Sequence, residues 1–186
     1  MKEDIPFNFP EASEIKLITT DLDGTLLNSR RRISERTSIV VRRILEKYPK
    51  LHFVLASGRA KPATKLIREK LGIKDRPNTE SLLCNGCLVY DSKGNIIWQN
   101  VIPKGFMLEV QKMICENALP EHVAIYSTGD LTVLFDEQWL NFAIEKCDED
   151  AIVEDKEVFL RKIESGEAKV NKIGFMVFEP SAAEGK

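Results

Sequence analysis

Residues Ile15 to Leu27 read IKLITTDLDGTLL. The run begins apolar and β-branched, as a buried strand of an open sheet does. It ends in two aspartates one residue apart, Asp21 and Asp23, followed by Gly24 and Thr25. A strand that delivers two carboxylates and a glycine turn to its C-terminal end suits chemistry on a bound phosphate. Open α/β sheets take ligands at that edge, and two close carboxylates can be held in different protonation states. The plainer reading of the same letters is a strand followed by an Asp-Gly turn.

The residues that follow weigh against the plainer reading. Leu51-His52-Phe53-Val54-Leu55-Ala56 is a second apolar strand, and it ends in Ser57-Gly58-Arg59. A third, Ser81-Leu82-Leu83-Cys84, leads into Asn85-Gly86. Asp21-Leu22-Asp23-Gly24-Thr25 resembles, letter for letter, the first motif of the haloacid dehalogenase superfamily of phosphotransferases. Ser57 at the end of the second strand is similar to that family's second motif, and Asn85-Gly86 resembles the point where its Cof-type branch inserts a large cap.

The resemblance implies an α/β fold: a Rossmann-like core with a parallel sheet and an inserted α/β cap, both incomplete here. It implies an Mg2+-dependent phosphatase of small phosphorylated metabolites, sugar phosphates foremost. Asp21 would be the nucleophile and a metal ligand, and Asp23 the general acid, its backbone carbonyl a second metal ligand. The backbone around Leu22, with Thr25, Ser57 and Gly58, would hold phosphate oxygens, and Arg59, Asn85 and Gly86 would lie near the substrate. The acid role needs Asp23 protonated near neutral pH, which a neighbouring carboxylate and partial burial favour. Gly24 would permit close backbone approach. A phosphomutase of the phosphomannomutase kind shares the same opening motif, and a regulatory or vestigial fragment that binds phosphate without turnover is a third reading.

The whole chain sets wider bounds. With 186 residues, 43% hydrophobic, 30% charged and a formal charge of −2, it has the composition of a globular protein and no electrostatic reason to seek nucleic acid or an anionic membrane. The opening MKEDIPFNFP is acidic and broken by prolines, unlike a signal peptide, and no apolar run reaches membrane-spanning length; a cytoplasmic location is expected. Cys84 and Cys87 form a lone C-x-x-C without a second pair or suitably spaced histidine, so they read as structural thiols.

Along the chain, residues 1–14 read as a leader, 15–89 as the core, 90–178 as the cap and 179–186 as a polar tail. Ser34 is a good N-cap for a helix from Glu35 to Lys47, with Ile33, Ile39, Val40 and Ile44 facing inward. Pro62 and Gly72 bracket a second helix. After Gly86 the rhythm changes. Leu88–Tyr90 and Ile96–Trp98 read as a hairpin, 103–118 as a helix packing Phe106, Val110, Met113 and Ile114, and 124–127 with 131–135 as a second hairpin. Residues 139–147 and 158–165 read as helices, 145–157 as an exposed acidic stretch, and 170–178 as a strand. Arg30-Arg31-Arg32 reads as a solvated loop, and Trp98 and Trp139 as packing anchors. A lysine motif and a G-D-x-x-N-D motif, which the family places after the cap, do not occur here. The expectations that follow are a chain with little turnover of its own, and a first strand left at a sheet edge, where a second copy or a partner chain completes the sheet.

Overall fold

A computed structural model describes residues 11–120 and 124–176. The strand β1 (Leu17–Thr20), helix α1 (Glu35–Lys47), strand β2 (His52–Ala56), helix α2 (Lys65–Leu71) and strand β3 (Ser81–Leu83) follow in turn. β1, β2 and β3 pair in parallel, with Thr20 level with Leu55 and Leu55 level with Ser81. Two like-handed crossovers advancing in one direction put both helices on one face of the sheet. There Leu22, Val41, Leu45, Phe53, Leu55, Ile67 and Leu71 form one buried cluster.

Side-chain spacing decides which face each helix buries. Ser34 caps α1 by accepting from the Thr37 N–H at 3.0 Å. The buried positions are Ser38, Val41 and Leu45, a stripe at i, i+3 and i+7. Ile33 is buried and Ile44 packs at the edge of the cluster, but the expected burial of Ile39 and Val40 does not hold: they are 44% and 48% exposed. Ser38 takes an inward place because its hydroxyl donates to the Lys70 carbonyl at the end of α2. Gly72 ends α2 at φ +69°, as its position after the last apolar residue predicts.

Strands β4 (Leu88–Tyr90) and β5 (Ile96–Gln99) form the expected hairpin, but it extends the first sheet, in the order β1-β2-β3-β4-β5. The expected boundary at residue 90 therefore cuts through a strand of that sheet, and the change of sheet falls between Gln99 and Lys104. The second sheet has the order β8-β7-β6-β9, from β6 (Ala124–Ser127), β7 (Thr132–Leu134), β8 (Ala151–Val153) and β9 (Lys172–Phe175). β8 lies inside the acidic stretch read as exposed, and it pairs in parallel with β7. Its three residues are too short a signal amid Glu and Asp to register as a strand.

Helices α3 (Lys104–Glu116) and α5 (Lys156–Ser165) pack with this sheet around Met107, Val110, Ile114, Tyr126 and Phe159. Phe106 and Met113 do not face inward as expected; they are 57% and 43% exposed, and Met107 and Gln111 take the inner positions. Helix α4 (Leu140–Cys147) ends at Asp148 in a left-handed conformation. Trp98 is half exposed and is no packing anchor. Of the expected leader, residues 11–14 form a turn closed by the Glu14 N–H to the Glu11 carbonyl. Residues 1–10, the end of the last expected strand (177–178) and the polar tail lie outside the described residues.

Among the described residues β1 is the outer strand of its sheet. Leu17 is 56% exposed there. No helix among the described residues is long and apolar enough to cross a membrane.

Candidate active site

The D-L-D alternation explains how the acids reach solvent. Leu22 is fully buried and Leu27 nearly so, which pins into the core both ends of a wide, non-helical turn closed by the Leu27 N–H on the Leu22 carbonyl at 2.8 Å. Asp21 and Asp23 flank the pinned leucine and remain exposed. Gly24 sits at φ +78°, and an added Cβ would meet no protein atom within 4 Å. Its positive φ is a conformation that glycine adopts without strain.

Asp21 stands at the C-terminal tip of β1, and its side chain does not cap the turn it precedes. It accepts one long hydrogen bond, 3.4 Å, from the Thr25 hydroxyl. Parallel pairing brings the end of β2 beside it, because neighbouring strands lie about 4.8 Å apart. Ser57 is buried there, its Oγ accepting from the Arg59 N–H at 3.3 Å, so its own proton remains available to donate.

The two loops are tied directly. Arg59, only 7% exposed, forms a fork on Asp23: Nε to Oδ2 and Nη2 to Oδ1, each 2.7 Å. Arg31 reaches Asp23 Oδ1 at 3.6 Å. Hydrogen bonds from Arg59, aided by both positive charges, hold the Asp23 carboxyl below its ordinary 3.8 against a smaller opposing effect of burial. The expected upward shift is thus reversed, because charge-assisted hydrogen bonds to the ionised form outweigh partial desolvation. The same pairing raises the Arg59 value.

The exit of β3 clamps this loop. The Asn85 N–H donates to the Ser57 carbonyl at 3.2 Å and the Cys84 N–H to the Arg59 carbonyl at 3.0 Å. Cys84, Asn85 and Gly86 all have positive φ, a conformation that disfavours the two non-glycine residues. A Cβ on Gly58 would lie 2.5 Å from Asn85 Oδ1, so any larger residue there requires the Asn85 side chain to move. The structure therefore brings Asp21, Leu22, Asp23, Thr25, Ser57, Gly58, Arg59, Asn85 and Gly86 to one edge of the first sheet. Cys84 is fully buried, and burial pushes its thiol up to about 11. Cys84 and Cys87 are free thiols.

Two participants, Arg31 and Asp148, escaped the sequence reading, and a third, Lys172, had no positional argument in it. Arg31, assigned to a solvated loop, donates through Nη1 to the Lys146 carbonyl at the end of α4 as well as facing Asp23. Asp148 stands 3.6 Å from Arg59 Nη1. Lys172 of β9 donates to the Gly58 carbonyl at 3.1 Å. The contacts of Arg31 with Lys146, Asp148 with Arg59 and Lys172 with Gly58 each join segments far apart along the chain, and no local pattern marks such contacts. A cavity of about 340 Å3 beside α2 and the β4–β5 turn, lined by Lys61, Arg68, Tyr90 and Asp130 among others, contains none of the site residues.

The model of the haloacid dehalogenase-like hydrolases matches residues 18–183. The chain is 30% identical over 172 residues to the uncharacterized hydrolase C25B8.12c of Schizosaccharomyces pombe, covering 89% of this chain and 54% of that protein. It is 34% identical over 90 residues to phosphatase YwpJ of Bacillus subtilis, covering 48% of this chain and 30% of that one. The crystal structure of TM0651 from Thermotoga maritima superposes with a TM-score of 0.70 at 22% identity, over 91% of this chain and 59% of that one. A haloacid dehalogenase-like hydrolase from B. subtilis gives 0.67 at 23% identity, over 92% and 65%. These structures share the fold, and the chain spans about half of the length of the first of these relatives. With the family's model matched from residue 18 to residue 183, the chain belongs to the haloacid dehalogenase-like hydrolases.

Proposed function

We propose that this chain carries the nucleophile half of a phosphomonoester hydrolase acting on small phosphorylated metabolites, sugar phosphates foremost. The observation that carries the reading is Asp21: an exposed carboxylate at a strand tip, without an ion pair among the described residues, at the same sheet edge as Ser57, which follows the neighbouring parallel strand. A carboxylate so placed can attack phosphorus, taking the phosphoryl group as an aspartyl-phosphate while the ester oxygen leaves. Ser57 and the amides near Leu22 would orient the phosphoryl oxygens, since phosphoryl transfer asks mainly for positioning and charge stabilisation.

The donors present fit Mg2+. The Asp21 carboxylate and the Asp23 carbonyl are hard oxygen ligands, and Mg2+ typically takes one or two carboxylates, keeping waters and substrate oxygens for its other positions. No group of three or more His, Cys, Asp or Glu gathers among the described residues, so the protein would supply a partial shell. When bound, the ion would offset the charge of the phosphoryl group.

Asp23 would protonate the leaving oxygen only after releasing Arg59, since the arginine fork favours its ionised form. That pairing supports phosphate binding with little turnover by these residues alone. The decisive experiment is beryllofluoride trapping with Mg2+, read by fluorine NMR. A bound signal in the chain that Asp21→Asn abolishes is expected; the same signal in Asp21→Asn would refute the assignment. Negligible hydrolysis of p-nitrophenyl phosphate is the companion expectation, and a robust rate lost in Asp21→Asn would overturn the low-turnover part alone.

A further inference from the structure

Lys172 is placed for work that the first sheet cannot do alone. It opens β9, level with Ser127 of β6. Its root is held rigidly by its neighbour Asn171, which is 2% exposed. The Asn171 N–H donates to the Ser127 carbonyl at 2.8 Å. Its Nδ2 donates to the Asn100 carbonyl at 2.6 Å, and its Oδ1 accepts from Gln99 Nε2 at 3.2 Å. The lysine is therefore anchored against both sheets, and its ammonium crosses to the Ser57-Gly58-Arg59 loop, donating to the Gly58 carbonyl at 3.1 Å.

The site's other cations are already engaged. Arg59 is shared between Asp23 and Asp148, and Arg31 between Asp23 and the Lys146 carbonyl. Lys172 has no carboxylate within ion-pair reach among the described residues, and an ammonium carries three protons of which one goes to Gly58. A phosphate monoester brings about two negative charges to a loop whose guanidinium is occupied. Lys61 is no substitute: it donates to the Gly94 carbonyl at 3.1 Å, pairs with Asp130 at 3.3 Å and lies over the Tyr90 ring in the separate cavity.

We propose that Lys172 is a phosphate-binding residue, by which the second sheet supplies the ammonium for the non-bridging oxygens of a phosphoryl group seated at Asp21 and Ser57. The proposal rests on the phosphatase reading and assigns the second sheet a part in holding the transferred group. Binding of phosphate would recruit the two free N–H groups of Lys172 and draw β9 against the Gly58 loop.

Calorimetric titration of the chain with inorganic phosphate in the presence of Mg2+ tests it, using Lys172→Gln, Lys172→Arg, Lys61→Gln and Ser57→Ala. One charge-assisted contact in a partly exposed site corresponds to roughly tenfold in affinity. Lys172→Gln should weaken binding by about that factor, Lys172→Arg should restore most of it, and Lys61→Gln should bind like the parent. Circular dichroism of each variant establishes that it is folded; should Lys172→Gln not fold, Lys172→Met takes its place. Undiminished binding by Lys172→Gln, with loss in Ser57→Ala, overturns the role of Lys172 and leaves the phosphate site standing. Undiminished binding in both variants, or none in the parent, overturns the site and the inference together.

Discussion

The Arg59–Asp23 fork offers a quantitative check on the site's electrostatics. Two N–H···O contacts of 2.7 Å would each be strong if buried. Arg59 is buried, but the Asp23 side chain is 47% exposed. Exposed ion pairs contribute about 0–1 kcal/mol and hydrogen bonds to charged groups about 1.5–3. A coupling of about 1–2 kcal/mol is expected between these limits. A double-mutant cycle with Arg59→Met and Asp23→Ala isolates it, since methionine keeps much of the buried stem. With a urea slope of about 2 kcal/mol/M the coupling is a midpoint difference of roughly 0.5–1 M.

The dependence on pH has a definite sign. The folded carboxyl titrates below its ordinary 3.8. Its contribution is therefore complete above the unfolded value, flat between about pH 5 and 7, and lost as pH falls through the lower folded value. A coupling below about 0.3 kcal/mol at pH 7, within the error of additivity, would refute the reasoning. So would a coupling that weakens between pH 7 and 5, which would mean that another group titrates in the pair.

Gly58→Ala puts a Cβ within 2.5 Å of Asn85 Oδ1, at the far end of an exposed side chain that must swing away; stability should fall by no more than about 0.5 kcal/mol while phosphate binding weakens, and unchanged affinity would sink this account. At pH 8, Cys84, with its thiol pushed up to about 11, should resist a disulfide reagent until the chain unfolds, whereas exposed Cys115 reacts promptly. The single-cysteine variants distinguish the two, and equal rates would contradict the burial argument. At the outer edge, β1 exposes Leu17, and Ile39 and Val40 of α1 are exposed as well. Concentration-dependent association by light scattering is expected, reduced by Leu17→Lys. A monomer at every concentration, with β1 amides protected from exchange, would argue that the edge needs no partner.

Local chemistry alone was enough for several elements. The N-cap at Ser34, the stop at Gly72 and the strand tips at Asp21 and Ser57 follow from residues acting on their own backbone, so their order along the chain is legible. The parallel unit follows too, because strands alternating with amphipathic helices have few ways to bury both. Contiguous motifs carried most of the site: Asp21 to Thr25 and Ser57 to Arg59 each occupy one turn at one strand end.

What the sequence left open was decided by packing between distant segments. Ile39 and Phe106 are apolar enough to be core, but their places on α1 and α3 turn outward once Val41 and Met107 meet their sheets. The hairpin from Leu88 to Gln99 could have joined either unit, and pairing with β3 gave it to the first. Asp23 was expected to be pushed toward its neutral form, and Arg59, 36 residues away, holds it ionised. Lys172, 114 residues from Gly58, carries no local mark of its place. A short-range pattern fixes conformation, whereas charge and contact depend on what the folded chain carries in from far along its length; only the tertiary structure decides which cation meets which acid.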